Sequence, residues 1–240
     1  MQKKYTHLFF DLDNTLWDFG KNSKLAMQNT FSHFKLIEKE VDFNHFFEVY
    51  EKINHALWAS YRKKEVSKKV LTRRRFEDTF SELKISGIAP NEMNEYYLNE
   101  MPNQRTLYPG VLETLEYLKI KKYQLNIITN GFTEVQNKKL ESSGLRPFFN
   151  KVFTSEEIKT PKPGREIFEH AIKSVNAKKT NSLMIGDDWD VDIIGATKFG
   201  IDAVYIGNNV DTKTKSQKTY VENKNVIYLI DKIERIQSIL

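Results

Sequence analysis

The second half of the chain alternates short apolar runs with amphipathic segments, and this alternation constrains the fold more than any other feature. The apolar runs predict strands, and the segments between them have helical spacing. The predicted strands are 8–10, 123–130, 151–155, 181–187, 201–207 and 225–230, and helices are predicted at 133–143, 165–175 and 190–199. Strands that alternate with helices predict an α/β fold, in which a parallel sheet carries helices on both faces.

The chain between the first strand and the Pro109-Gly110 pair has a different pattern. Aromatic residues recur there at helical spacing, as at Phe43, Phe46 and Tyr50, and no strand is predicted. We therefore expect an all-helical insertion over 20–105, which leaves 1–19 and 106–240 for the sheet domain. A chain of 240 residues is long enough for a core domain with a smaller insertion.

Composition excludes several kinds of chemistry. The chain has no cysteine, so disulfides, thiolate catalysis and zinc-thiolate sites are excluded, and carboxylate ligands would favour a hard cation such as Mg²⁺. No apolar stretch approaches the ~18 residues of a membrane span, and the first residues lack the apolar region of a signal peptide. We expect a cytoplasmic protein with no membrane partner.

Charge points to an anionic ligand. The net charge is +5 and two basic runs lie at 62–75 and 212–218, but the other lysines are scattered and no nucleic-acid-binding motif is present. We therefore expect no nucleic-acid partner, and a basic surface that suits an anionic small molecule.

Polar residues lie at the ends of the predicted strands, directly after them, or just before a helix, which is where a parallel sheet binds its ligands. They are Asp11, Asp13, Thr129, Asn130, Lys162, Asp187 and Asp188. A carboxylate can attack phosphorus, and a carboxyl group two residues further on can serve as acid and then as base. The phosphoryl group also needs a cation, a lysine and hydroxyl donors around it, so we expect Asp11 and Asp187 to hold a metal ion.

The segments "DLDNT", "TNG", "PKP" and "GDDWDVD" occur in this order, and together they resemble the four motifs of the haloacid dehalogenase superfamily of phosphatases. The resemblance implies a Rossmann-like core with the insertion as a cap domain. It also implies that Asp11 is the nucleophile, that Asp13 is the general acid and base, and that Thr129 and Lys162 bind the phosphoryl group. Lys159 is the alternative to Lys162, which we prefer because it precedes Pro163.

The same resemblance implies a Mg²⁺ site. The Asp11 carboxylate, the Asp13 backbone carbonyl and Asp187 would bind the ion, with Asp192 in a supporting position. Asp188 and Asp190 crowd the same loop, where capping of a helix N-terminus is a sufficient role for at least one of them.

Two longer segments, 53–76 and 127–145, are similar to the noncanonical-pyrimidine 5'-nucleotidases of the superfamily. This implies that the substrate is a small phosphorylated metabolite, a nucleoside monophosphate. We expect Asn130 and, in the cap, Asn54, Trp58 and Arg75 to contact it. Trp58 has the alternative of packing in the helical core, and Arg75 that of facing water.

Other functions share parts of this pattern. A sugar-phosphate phosphatase or phosphomutase would use the same core residues, with only the cap deciding the substrate. A dehalogenase would not need an acid two residues after the nucleophile, and Asp13 argues against it. A non-catalytic interaction module would be expected to have at least one broken motif, and the four motifs are intact.

Overall fold

The computed structural model describes residues 4–207, 219–222 and 224–240. The chain forms two compact units. The core unit contains Met1–Phe19 and Arg105–Leu240, and the inserted unit contains Gly20–Gln104. The boundaries lie within one residue of the insertion proposed at 20–105. The basic run at 212–218 lies outside the described residues.

The core unit is built on a seven-stranded sheet. Its strands are β1 (His7–Phe10), β2 (Gln124–Thr129), β3 (Lys151–Thr154), β4 (Ser182–Gly186), β5 (Asp202–Ile206), β6 (Thr219–Glu222) and β7 (Asn225–Ile230). The order across the sheet is β3-β2-β1-β4-β5-β7-β6, and each neighbouring pair is parallel except β6 with β7. The order reverses between β1 and β4, which is where such sheets bind ligands.

The helices of the core unit follow its strands. They are α5 (Val111–Ile120), α6 (Thr133–Ser142), α7 (Ser155–Ile158), α8 (Arg165–Ser174) and α9 (Ile194–Phe199). On one face of the sheet, Phe9, Ile128 and Met184 pack with Phe168 of α8 and Phe199 of α9. The alternate residues of β1 are also buried, as expected when both faces of a parallel sheet are covered. The predicted α/β class and the six predicted strands are confirmed.

Two features of the core unit differ from the sequence-based prediction. Strand β6 was not predicted, because a run of four residues beside a polar segment carries little periodicity. The segment predicted as one helix over 190–199 begins instead as a wider π-type turn at Trp189–Ile193 and continues as α9. The π turn carries Asp192, one of the predicted site residues.

The inserted unit is helical throughout its regular elements. Its α-helices are α1 (Phe19–His33), α2 (Phe43–Arg62), α3 (Lys68–Glu82) and α4 (Pro90–Glu100), with α1 beginning at the last residue of the core unit. The rings of Tyr50, Phe76 and Tyr97 lie 5.1 to 6.0 Å apart by centroid and tie α2, α3 and α4 together. In the described part of the chain, no helix has the length and apolarity to cross a membrane.

Candidate active site

The chain turns sharply after β1 and keeps Asp11 at the edge of the sheet. The Asp11 N–H donates to the carbonyl of Ile185 in β4, which continues the strand pairing one residue beyond β1. The N–H groups of Leu16 and Trp17 then bond back to the carbonyl of Leu12. The β1 and β4 ends therefore hold Asp11 at the point where the strand order reverses.

Lys162 joins two buried carboxylates. Its ammonium lies 2.5 Å from Asp11 Oδ1 and 2.7 Å from Asp192 Oδ1, and its side chain is 2% exposed. Burial alone would lower the pKa of Lys162, but the charges of Asp11 and Asp192 outweigh it and raise that pKa. Lys159, the alternative lysine, ends α7 with an exposed side chain.

Three carboxylates meet at this edge. Asp11, Asp187 and Asp192 each place one oxygen within 4.8 Å of the others. Burial raises the pKa of Asp11 well above its usual range, partly offset by the charge of Lys162. Burial, followed by the charge of Asp192, raises the pKa of Asp187 to about 7, while a hydrogen bond from Thr15 at 3.0 Å opposes the rise.

This cluster fits a divalent cation. One ammonium cannot balance three close carboxylates, and burial, the largest cause of their raised pKa values, makes the charged forms still more costly without a further cation. The donors are all oxygen atoms, which suit a hard ion such as Mg²⁺. Asp11 and Asp187 could therefore hold the ion, with Asp192 beside them.

Gly186 allows Asp192 to reach the cluster. A Cβ atom on this last residue of β4 would lie 2.3 Å from Asp192 Oδ2, inside any allowed contact. Asp192 Oδ2 also accepts the N–H of Asp188 at 3.2 Å. Asp188 itself caps the π turn by accepting the N–H groups of Asp190 and Val191, as the capping interpretation predicts for one member of this loop.

Asp13 is held by helix α6. Lys139 Nζ lies 2.7 Å from Asp13 Oδ1, and Gln136 Nε2 donates to Asp13 Oδ2 at 2.9 Å. The same Gln136 nitrogen donates to Thr129 Oγ1 at 2.8 Å, and the N–H of Gly131 donates to that hydroxyl oxygen at 3.2 Å. Asp13 and Thr129, from two neighbouring strands, are therefore linked through one glutamine.

The Asn130 side chain forms two hydrogen bonds with the backbone of Lys162. Its Nδ2 donates to the Lys162 carbonyl at 3.0 Å, and its Oδ1 accepts the Lys162 N–H at 2.8 Å. Both polar atoms of the side chain are therefore engaged with this loop. The predicted substrate contact of Asn130 remains a prediction, and the structure gives its side chain the additional role of positioning Lys162.

The predicted cap contacts have different environments within the inserted unit. Arg75 is 3% exposed, and its Nε and Nη2 donate to Asn94 Oδ1 at 2.9 and 2.6 Å, so it does not face water. Trp58 is half-buried and its ring lies edge-on to Tyr61. Asn54 Oδ1 is buried and accepts no hydrogen bond among the described residues. The unpaired Asn54 oxygen favours a ligand contact, whereas packing accounts for Arg75.

Sequence reasoning missed Lys139 and Gln136. Both lie on α6, where polar residues ordinarily face water, and nothing in their spacing marks them as buried. Their only sequence signal is their position: they lie in the first two turns of the helix that follows the "TNG" segment, close to the end of the strand that carries Thr129.

Comparison with known proteins assigns the chain to a family. The model of the haloacid dehalogenase-like hydrolase family matches residues 8–206. The pyrimidine 5'-nucleotidase PynA of Streptococcus pneumoniae is 33% identical, over 90% of each chain. A glyceraldehyde 3-phosphate phosphatase of Methanothermobacter thermautotrophicus is 30% identical, over 97% of this chain and 98% of its own.

A solved structure extends the likeness to the whole chain. The HAD-hydrolase YfnB of Bacillus subtilis, crystallised with magnesium, superposes with a TM-score of 0.84 at 25% identity, covering 99% of each chain. The resemblance stated from the motifs is confirmed by these relatives. With its parallel sheet, its carboxylate cluster and the match over residues 8–206, the chain belongs to the haloacid dehalogenase-like hydrolase family.

Proposed function

We propose that this protein hydrolyses phosphomonoesters through an aspartyl-phosphate intermediate on Asp11, and that its substrates are pyrimidine nucleoside monophosphates. The observation that supports the chemistry most is the junction of Asp11, Lys162 and Asp187 at the strand-order reversal, with a second carboxyl group at Asp13. A nucleophile, a counter-charge and an acid then lie on one sheet edge.

The first step transfers the phosphoryl group to the protein. An Asp11 carboxylate oxygen bonds to phosphorus, and the bond between phosphorus and the ester oxygen breaks. The departing oxygen takes the proton of the Asp13 carboxyl group, so the alcohol leaves neutral. Thr129 accepts two hydrogen bonds, which leaves its O–H to donate to a phosphoryl oxygen, and the Lys162 ammonium offsets the phosphoryl charge.

The second step returns Asp11 to its starting state. A water molecule bonds to phosphorus, the Asp13 carboxylate takes one of its protons, and the bond between phosphorus and the Asp11 oxygen breaks. Inorganic phosphate leaves, Asp13 is protonated again and Asp11 is again a carboxylate. When bound by Asp11, the Asp13 carbonyl and Asp187, with Asp192 beside them, Mg²⁺ would supply positive charge against the phosphoryl oxygens.

The substrate class rests on the relatives and on the inserted unit. PynA is named a pyrimidine 5'-nucleotidase and covers 90% of this chain. The core residues named above suit any phosphomonoester, so side chains elsewhere must select the alcohol. Asn54 is the leading candidate for this role because its buried Oδ1 is unpaired among the described residues. An amide can match the polar edge of a pyrimidine base.

A sugar-phosphate phosphatase is the second candidate. The glyceraldehyde 3-phosphate phosphatase of Methanothermobacter thermautotrophicus is 30% identical over nearly the whole chain, only slightly less than PynA. The two candidates share every chemical step and differ in the alcohol released. Substrate preference therefore decides between them.

The test is a substrate panel measured with Mg²⁺ and with EDTA. It contains UMP, dTMP, AMP and glyceraldehyde 3-phosphate, and the Asp11→Asn variant controls for contaminating phosphatases. We expect metal-dependent phosphate release, with kcat/KM for the pyrimidine nucleotides about 10-fold or more above the others. The highest kcat/KM on glyceraldehyde 3-phosphate would favour the second candidate, and release from no phosphomonoester would contradict both.

A further inference from the structure

We propose that Lys139 is a positioning residue for the acid–base chemistry, because it fixes the Asp13 carboxyl group against helix α6. This inference rests on the proposed function, since it assigns a task to a residue that contacts the proposed general acid. Lys139 itself touches neither the phosphoryl-binding groups nor the carboxylate cluster in any contact described above. It acts through Asp13.

Burial shows that Lys139 is not an ordinary surface lysine. Its side chain is 3% exposed, and its ammonium lies 4.2 Å from the ring centre of Trp17 and 5.3 Å from that of Phe19. A cation placed among aromatic rings has lost most of its water, so it needs a compensating anion. Asp13 Oδ1 at 2.7 Å supplies that anion.

The contacts on Asp13 fix both of its oxygens. Lys139 engages Oδ1, and Gln136, one turn earlier on the same face of α6, engages Oδ2. The Asp13 side chain is 25% exposed, so without these two donors nothing described on its open side would restrain its rotation. Because helix α6 holds both oxygens, the carboxyl group keeps one orientation relative to the leaving oxygen of the substrate.

Lys138 provides a matched comparison on the same helix. It is one residue away and also a lysine, but its side chain is 47% exposed and pairs with Glu134 on the helix surface. Replacing Lys138 changes the same charge without touching Asp13. Any effect of the Lys139 variant that the Lys138 variant lacks therefore comes from the buried contact.

The test separates positioning of the acid from general damage. Phenyl phosphate and p-nitrophenyl phosphate carry similar flat leaving groups, but phenolate is a strong base, with an acid pKa of about 10 like that of tyrosine, and p-nitrophenolate is far weaker. Only the phenyl ester needs its leaving oxygen protonated. The quantity to compare is kcat/KM, which reports the steps up to release of the alcohol and is not masked by slow hydrolysis of the phosphoenzyme.

For Lys139→Met we expect kcat/KM to fall about 10- to 100-fold with phenyl phosphate and less than about 3-fold with p-nitrophenyl phosphate. Lys139→Arg, which keeps the charge and the donors, should lose less on phenyl phosphate, and Lys138→Met should match the wild type. Lys139→Gln is measured alongside, with thermal melting of every variant, so that a folding defect in the methionine variant does not decide the result.

Two outcomes would overturn the inference while leaving the proposed function standing. If folded Lys139 variants lose kcat/KM by the same factor on both esters, the role of Lys139 is structural only. If their kcat/KM matches that of the wild type on both esters, Asp13 is positioned without Lys139. A wild-type protein that releases phosphate neither from these esters nor from any member of the substrate panel would instead contradict the proposed function itself.

Discussion

At the scale of single residues, the site depends on close approach as much as on charge. Asp192 reaches Lys162 because Gly186 leaves room for it, and a Cβ atom at position 186 would overlap its carboxylate. The buried carboxylate has little space to move, because it also accepts the Asp188 N–H. The contact between Asp192 and Lys162 therefore depends on the absence of a side chain at Gly186.

Adding one methyl group at position 186 tests whether this close approach is needed. Gly186→Ala should displace Asp192 from Lys162, lower kcat by about 10-fold or more, and destabilise the fold by about 1–3 kcal/mol as an overpacked site does.

Gly144→Ala is the control, because its Cβ would meet nothing within 4 Å and its cost comes only from the positive φ of 75°. It should lose about 1 kcal/mol of stability and no activity. Steady-state rates and urea unfolding measure both effects, and full activity in Gly186→Ala would contradict this account.

Residue positions were predictable from the sequence where a motif lies at a strand end. Asp11 and Asp187 directly follow β1 and β4, and Thr129 is the last residue of β2, so topology alone brings them to one edge of the sheet. The contacts of Lys139 could not be predicted, because a lysine on a helix looks the same whether it faces water or a buried aspartate. The same holds for Asn130, whose pairing with Lys162 spans 32 residues of sequence.

At the scale of elements, the inserted unit carries one polar residue expected to stabilise it and another expected to contact the substrate. Arg75 joins α3 to α4 through two hydrogen bonds to Asn94, and its guanidinium carbon lies 5.1 Å from the ring centre of Tyr97. Asn54 on α2 instead has a buried oxygen that no described residue pairs. Two polar residues that look alike in the sequence therefore have different expected effects.

Paired variants test this difference. Arg75→Met should leave the Asn94 oxygen without a donor and cost about 1–3 kcal/mol of stability, measured by chemical unfolding. Asn54→Ala should leave stability unchanged and lower kcat/KM for pyrimidine nucleotides about 10-fold, with p-nitrophenyl phosphate unaffected. A stable Arg75→Met variant with a selective loss on nucleotides would reverse the two assignments.

Element boundaries were predictable only where periodicity is strong. Strands β1, β2 and β4 are buried along nearly their whole length, and burial on both faces of the sheet gives them apolar runs that are clear in the sequence. Strand β6 lies antiparallel at the sheet edge, where a short strand needs no apolar run. The π turn at Trp189–Ile193 keeps helical spacing in sequence, so only the structure distinguishes it from the start of α9.

At the scale of the whole molecule, we expect the carboxylate cluster to make stability depend on a cation. Asp11, Asp187 and Asp192 repel one another in the fold and are separated on unfolding, so an ion that binds them favours the folded state. At 100 times its dissociation constant, Mg²⁺ would add about 2.7 kcal/mol. For a chain of this size that corresponds to a rise in Tm of about 5 °C or more.

The measurement is thermal melting with Mg²⁺ and with EDTA, which needs no substrate. Asp187→Asn should lose most of the rise in Tm with Mg²⁺, while the control Asp190→Asn, at an exposed position of the same loop, should keep it. Equal melting temperatures of the wild type with Mg²⁺ and with EDTA would remove the case for a metal site at this edge.

The central claim is that Asp11 carries the phosphoryl group during turnover. The direct measurement is mass mapping of protein that has been acid-quenched while turning over a pyrimidine nucleotide with Mg²⁺, using Asp13→Asn to slow hydrolysis of the intermediate. The account predicts one phosphoryl group, on the peptide that contains Asp11, and none in a variant that also carries Asp11→Asn. Phosphate release by Asp13→Asn with no phosphoryl group on that peptide, or with the group on another residue, would contradict the account.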